Sequence, residues 1–212
     1  MLWKKLQKFY YLISKQKPTP VFQVGRRNVI FIHINKTGGT SINDALNVPV
    51  KNHLTAREII DEVGEEAYLK AYKFTVVRNP WSKVVSHYKY RVKTGQTGLK
   101  NNPLPFREWV KRTYGPEKDP ALYHPPKMFQ PQSDWLKDFS GEIKVDRLLK
   151  FERLSEDFEE LAAELGIDKS LPHLNKTKKS DFRTYYDSET AEIIAGWFRE
   201  DIERFGYEFQ SG

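Results

Sequence analysis

The stretch that most limits what this chain can become is Asn28-Val-Ile-Phe-Ile-His-Ile-Asn35 running straight into Lys36-Thr-Gly-Gly-Thr-Ser41. A β-branched apolar run of this kind reads as a buried strand. It ends in a glycine pair flanked by one lysine and three hydroxyls, and a helix-like segment follows. Gly38 and Gly39 permit turns that side chains forbid and let a ligand approach the main chain. A helix opening near Thr40 or Ser41 offers free N–H groups and the positive end of its dipole. Lys36 adds a mobile full charge, so Lys36, Thr37, Gly38, Gly39, Thr40 and Ser41 are expected to wrap a phosphate or sulfate group. The order differs from the nucleotide-triphosphate loop, in which the lysine follows the glycines and a hydroxyl holds Mg²⁺. Here Lys36 precedes them.

A second element points the same way. Tyr72-Lys-Phe-Thr-Val-Val77 reads as another buried strand and ends at Arg78-Asn-Pro-Trp-Ser-Lys-Val-Val-Ser86. Asn79 is a natural N-cap and Pro80 suits the first helical position, so a helix is expected to start there. Arg78 then sits at the strand's carboxyl end, where open α/β sheets bind ligands. Ser86 lies 86 − 79 = 7 residues beyond the cap, roughly two turns on, and shares the cap's helix face. An Mg²⁺-dependent phosphotransferase needs a metal-holding carboxylate at such a strand end. An arginine with a serine suits a second phosphate instead.

Taken together, the two elements resemble the carbohydrate-type sulfotransferases that use 3′-phosphoadenosine-5′-phosphosulfate (PAPS). In that family a loop like Pro-Lys-Thr-Gly-Gly-Thr-Ser holds the 5′-phosphosulfate, and the arginine and serine of a later Arg-Asn-Pro-Trp-Asp-Arg-Leu-Val-Ser segment hold the 3′-phosphate. Here Asn35 stands where proline is commoner, and Ser82 and Lys83 replace the frequent Asp-Arg; neither is an anion-binding position. The resemblance continues weakly through Gln132-Ser-Asp-Trp-Leu136, Phe151-Glu-Arg-Leu154, Leu171-Pro-His-Leu-Asn175 and the Asp201…Tyr207 ending, and so covers nearly everything after Asn28. It implies an α/β fold of three layers, a central parallel sheet with a P-loop-like anion-binding loop and helices on both faces. It also implies PAPS as sulfuryl donor, adenosine 3′,5′-bisphosphate as product, a hydroxyl acceptor that is a carbohydrate, and no metal.

The bulk properties agree. At 212 residues one compact domain is the default, and aromatics make up 14% of the chain, enough for a substantial core. Net charge is +7, with a pI of about 9.3, which favours an anionic cofactor, an anionic acceptor or both. No nucleic-acid motif accompanies that charge. The chain has no cysteine, which excludes disulfides, thiol chemistry and cysteine-based zinc sites. Residues 1–20 read as a basic amphipathic segment and linker ahead of a single domain over 21–212. The segment places Leu2, Leu6, Phe9, Tyr10 and Ile13 at helical spacing without any acid, a pattern that suits either packing on the domain or peripheral contact with an anionic membrane. With no signal-peptide core and no run of membrane-spanning length, a cytoplasmic location is expected.

Along the domain, a short helix is expected before Pro49, another from Thr55 to Gly64, a helical turn or two over Glu65 to Ala71, and one from Pro80 to about Lys93. Pro105 to Tyr114 reads as a short helix within a proline-rich stretch from Leu99 to Pro131, long enough to carry an acceptor site or lid. Lys144 to Phe151 reads as a strand, Leu154 to Leu165 as a helix, and Ser188 to Arg204 as one last helix. The alternation suggests a parallel sheet covered on both faces.

Sulfuryl transfer requires a base for the acceptor hydroxyl and cations for charge on the leaving bisphosphate. Lys36 is assigned to the leaving-group side. For the base, His53 is the first choice because its His-Leu-Thr-Ala segment resembles a region carrying a histidine base in some glycan sulfotransferases; Glu58 and Glu62 stand in reserve. His33, mid-strand, reads as a core histidine, and His87 as a packing residue. The resemblance places Thr177, Lys178 and Lys179 in a loop closing over the 3′-phosphate; His124, by its place in the proline-rich loop, and Gln132 and Trp135 are candidates to line the acceptor cleft. Two other readings stay open on the residues alone: an ATP- and Mg²⁺-dependent small-molecule kinase, and a non-catalytic polyanion-binding module.

Overall fold

A computed structural model of the chain describes residues 19–50, 52–96, 103–171 and 181–210. Four strands form one sheet in the order β1 (Val21–Val24), β2 (Arg27–Ile32), β3 (Tyr72–Val77), β4 (Arg147–Lys150). β2, β3 and β4 run parallel, with Phe31 opposite Phe74 and Val76 opposite Leu149. The central β3 is buried on both faces, which explains its unbroken Phe-Thr-Val-Val run. The parallel core matches expectation, and an antiparallel edge strand is added to it. β1 turns back onto β2 through Gly25 and Arg26, with Val24 opposite Arg27. Gly25 has φ +58, and a Cβ there would lie 2.5 Å from the Leu165 carbonyl oxygen, so the tight hairpin requires glycine.

Side chains alternate across the sheet and bury two layers. Val29, Phe31, Phe74, Val76 and Leu149 face α1 (Gly39–Leu46) and α7 (Leu154–Glu164). Ile30, Ile32 and Val77 face α2 (Ala56–Val63), α3 (Glu65–Lys70), α6 (Gln132–Leu136) and α9 (Arg199–Phe205). A third, aromatic cluster joins α4 (Pro80–Thr94), α5 (Phe106–Tyr114) and α8 (Ser188–Trp197) around Trp81, Trp109, Phe129 and Phe198. That cluster clamps α4, the helix that leaves the carboxyl end of β3.

Helix starts follow local chemistry. Thr55 and Glu58 form a reciprocal capping box on α2, and the Asn79 side chain accepts from the Ser82 amide ahead of Pro80 on α4. The single last helix expected from the sequence is two, α8 and α9, divided at the buried Phe198. The bend aims α9 at α6. Asp201 accepts from the Gln132 and Ser133 amides at 2.7 and 2.8 Å, fixing the start of a helix that the proline-rich sequence did not announce. Among the described residues no helix is long and apolar enough to cross a membrane.

Candidate functional site

The chain leaves β2 through His33 to Asn35 and enters a turn in which Lys36 has φ 64 and Gly38 φ 87. The Thr37 hydroxyl donates to the Ile34 carbonyl at 2.9 Å and so braces the turn internally. α1 begins at Gly39, just ahead of the opening expected near Thr40 or Ser41. Its N-cap, Gly38, supplies no side-chain hydrogen bond, and its first turn carries no acid, so the amides there are open to an anion. Both glycines are also demanded by crowding. A Cβ on Gly38 would lie 2.9 Å from Leu154, and one on Gly39 would lie 2.1 Å from the His33 ring.

Arg78 meets this loop from β3. Its guanidinium donates to the Lys36 carbonyl at 3.2 Å and to the Ser82 hydroxyl at 3.0 and 2.8 Å, and it lies over the Phe151 ring at 4.1 Å. Burial pushes its pKa down to about 10, with Glu152 and Tyr207 pulling the other way. The Lys36 ammonium sits 4.2 Å above the Tyr90 ring and is lowered by burial and by Arg78. Lys36, Gly38, Gly39, Thr40, Arg78 and Ser86 line one cavity of about 550 Å³, whose lining contains no Asp or Glu. Neither Lys36 nor Arg78 makes an ion pair among the described residues. Ser41 stands half-buried just behind, its amide bonded to the Gly38 carbonyl at 3.1 Å.

His53 lines the same cavity. Its Nδ1 lies 3.0 Å from the His33 carbonyl oxygen. A carbonyl only accepts, so Nδ1 carries the proton and Nε2 keeps its lone pair. Burial lowers the His53 pKa; the bond to His33 opposes this, and the charges of Lys127, Lys36 and Lys83 add to the lowering. The imidazole is therefore neutral near pH 7 with a free acceptor nitrogen, which is what a proton acceptor requires. His33 proves to be both core and cavity wall. It is pushed down to about 3, first by burial and then by His53, whose ring centroid is 4.2 Å away.

The reserve carboxylates are placed differently. Glu58 has both oxygens on Lys127, at 2.7 and 2.8 Å, and caps α2. Burial raises its pKa, but the bonds from Lys127 and Thr55 outweigh that and hold it below the usual range. Glu62 is exposed on α2.

Three residues expected against the acceptor do not line the cavity. Gln132 and Trp135 are fully buried. The Gln132 amide is used internally: it accepts from the Arg78 amide at 2.9 Å and donates to the Arg78 carbonyl at 2.9 Å and to Asp201 at 3.2 Å. Gln132 thus holds Arg78 in place from behind, and Trp135 packs in the core beside His53. His124 is exposed outside the cavity, its carbonyl accepting from Arg91 at 2.8 Å. Thr177, Lys178 and Lys179, like residues 1–18, lie outside the described residues. Conversely, Asn35, His87, Tyr90 and Met128 line the cavity without having been singled out for it. For Tyr90 the spacing from Ser86, one helical turn, was the available signal.

Residues 19–208 match a family model described as Sulfotransferase family. An uncharacterized protein of Archaeoglobus fulgidus is 28% identical over 126 residues, 59% of this chain and 93% of its own length. The crystal structure of a sulfotransferase from Alicyclobacillus acidocaldarius superposes with a TM-score of 0.40 at 19% identity. That match covers 77% of this chain and 60% of the other.

Proposed function

The chain belongs to the sulfotransferase family, and we propose that it moves the sulfuryl group of PAPS to a carbohydrate hydroxyl without a metal ion. The observation that carries this reading is the pair of half-buried cations, Lys36 and Arg78, in one cavity with no carboxylate lining it. Charges so placed are costly unless a partner neutralises them. Two anionic groups separated as in a nucleotide bisphosphate would do so, one on the Lys36 loop and α1 amides, the other on Arg78 and Ser86. The glycine cradle fits this, because any Cβ on Gly38 or Gly39 would crowd its walls.

In this reading the donor supplies the sulfuryl group and this chain's residues do the rest. His53 Nε2 takes the proton from the acceptor hydroxyl as its oxygen bonds to sulfur. The bond from sulfur to the phosphate oxygen breaks, and Lys36 with the loop amides holds the charge left on the bisphosphate. Lys36 acts as an ammonium throughout. Lys178, Lys179 and Thr177 belong to the proposed 3′-phosphate side, and the excess of positive charge would draw an anionic donor toward the cavity.

Calorimetric titration with adenosine 3′,5′-bisphosphate, with ATP and Mg²⁺ in parallel, tests the proposal. Metal-independent binding of the bisphosphate is expected, weakened about tenfold or more in Arg78→Ala by loss of a charged hydrogen-bonding group. Binding of ATP only with Mg²⁺, and no binding of the bisphosphate, would overturn it in favour of a kinase.

A further inference from the structure

One cavity-lining group has no part in the scheme above. His87 follows Ser86 on α4, is 4% exposed, and lines the cavity that holds Lys36, Arg78 and His53. Its ring is backed by Phe129 at 4.8 Å and by the edge of Trp109 at 6.2 Å. It makes no hydrogen bond to any described residue. An imidazole in a cavity wall that spends no hydrogen bond on a described residue keeps its donor and its acceptor for what enters the cavity.

The surroundings say what it can pair with. Burial and the charges of Lys83, Arg91 and Lys36 keep the imidazole neutral, far below its ordinary pKa. A neutral imidazole offers one donor and one acceptor. An anion offers only acceptors, so an anion suits Lys36 and Arg78 better than His87. A hydroxyl offers both a donor and an acceptor and matches the imidazole on either nitrogen. His53, His87 and Lys36 all line the one cavity, so an acceptor held at His53 shares that space with the His87 imidazole.

We propose that His87 binds the acceptor by hydrogen-bonding a second hydroxyl, next to the one that His53 deprotonates, so that the preferred acceptor carries a vicinal diol on a sugar ring. This rests on the sulfotransferase reading above and makes its acceptor specific. His87 reads the neighbour of the reacting group, while Phe129 and Trp109 hold the ring in place.

The test uses the full chain with ³⁵S-labelled PAPS. The probes are methyl glycosides of common hexoses, each paired with the monodeoxy analogue lacking the neighbouring hydroxyl. Wild type is expected to favour a parent glycoside over its analogue by about tenfold or more in kcat/KM. His87→Phe, which keeps a ring against Phe129 and Trp109, is expected to lose that preference through KM while its Kd for adenosine 3′,5′-bisphosphate stays within about twofold. His87→Gln, which retains a donor and an acceptor, keeps part of the preference and serves if the phenylalanine variant does not fold. A His87→Phe enzyme that still discriminates parent from analogue overturns the proposal, as does a wild type that never discriminates. Bisphosphate binding without transfer to any glycoside overturns the vicinal-diol acceptor and leaves the donor site standing. Absence of bisphosphate binding overturns the functional reading itself.

Discussion

Gly39→Ala is the sharpest single perturbation of the proposed anion loop. Gly39 opens α1 outside the left-handed region, so alanine is compatible with its backbone and is the better helix former by about 1 kcal/mol. The whole penalty therefore comes from one contact. The new Cβ would lie 2.1 Å from the His33 ring, whereas ordinary contact begins at 3.4 Å, so something must move by 3.4 − 2.1 = 1.3 Å. His33 cannot yield easily. It stacks on Phe31 at 5.2 Å, meets His53 at 4.2 Å, and its own carbonyl holds His53 Nδ1. Overpacking on this scale costs about 1–3 kcal/mol, and either response, displacing the loop or displacing His33, disturbs the anion site. Urea unfolding and calorimetry with adenosine 3′,5′-bisphosphate are expected to show that loss of stability together with bisphosphate binding weakened about tenfold. Because the cause is a clash, His33→Ala in the same chain relieves it, and the two substitutions are expected to be non-additive, with the double variant binding better than Gly39→Ala alone. Bisphosphate binding by Gly39→Ala equal to that of wild type would refute the reasoning.

Other outcomes follow from the same geometry. His53→Ala is expected to lower kcat by at least about a hundredfold with bisphosphate Kd unchanged, whereas Glu58→Gln lowers the melting temperature through its cap and the Lys127 pair and leaves kcat alone; the reverse pattern would make Glu58 the base. Lys36→Ala is expected to abolish transfer in a folded protein, read by loss of ³⁵S product with an unchanged circular dichroism spectrum. Stability should also fall in acid. His33 is pushed down to about 3 in the folded state against about 6.5 unfolded, so the unfolded chain binds the extra proton between those values. The His33 contribution is thus fully present above pH 6.5 and is lost as pH falls toward 3, by up to about 1.4 kcal/mol per pH unit. Urea midpoints at pH 7 and pH 5 should converge in His33→Asn relative to wild type, and an equal drop in both proteins would exclude the histidine as the cause.

The parts of the fold and site that sequence could deliver were those fixed by neighbours along the chain. The Lys36–Ser41 turn, the Asn79–Pro80 start and the Thr55–Glu58 cap each depend on residues within one helical turn of one another, so their chemistry is visible as spacing. β1 is a four-residue strand whose existence depends on pairing with β2 and on Gly25 fitting against the Leu165 carbonyl, a contact 165 − 25 = 140 residues away. The break at Phe198 and the short helix at Gln132 are settled by each other through Asp201, again across long separation. Gln132 and Trp135 are expected against an acceptor, but Gln132 is spent on Arg78 and Asp201 and Trp135 on the core, through packing that no local pattern encodes. His87 was hidden for the converse reason. Its face of α4 is cavity wall only because Phe129 and Trp109 back it from distant segments.

Gln132 donates to Asp201 and to the Arg78 carbonyl and accepts from the Arg78 amide, and these bonds set an order of assembly. The arginine leaves the ribosome 201 − 78 = 123 residues before the aspartate that secures its support. Until α9 is made, Gln132 lacks its anchor and the second anion element can only be loosely held, however complete β2, β3 and the glycine turn already are. A nascent chain would therefore complete the support of Arg78 only near the end of its synthesis. Removing α9 would take away both Phe205, part of the core over Ile30 and Ile32, and the anchor of Gln132.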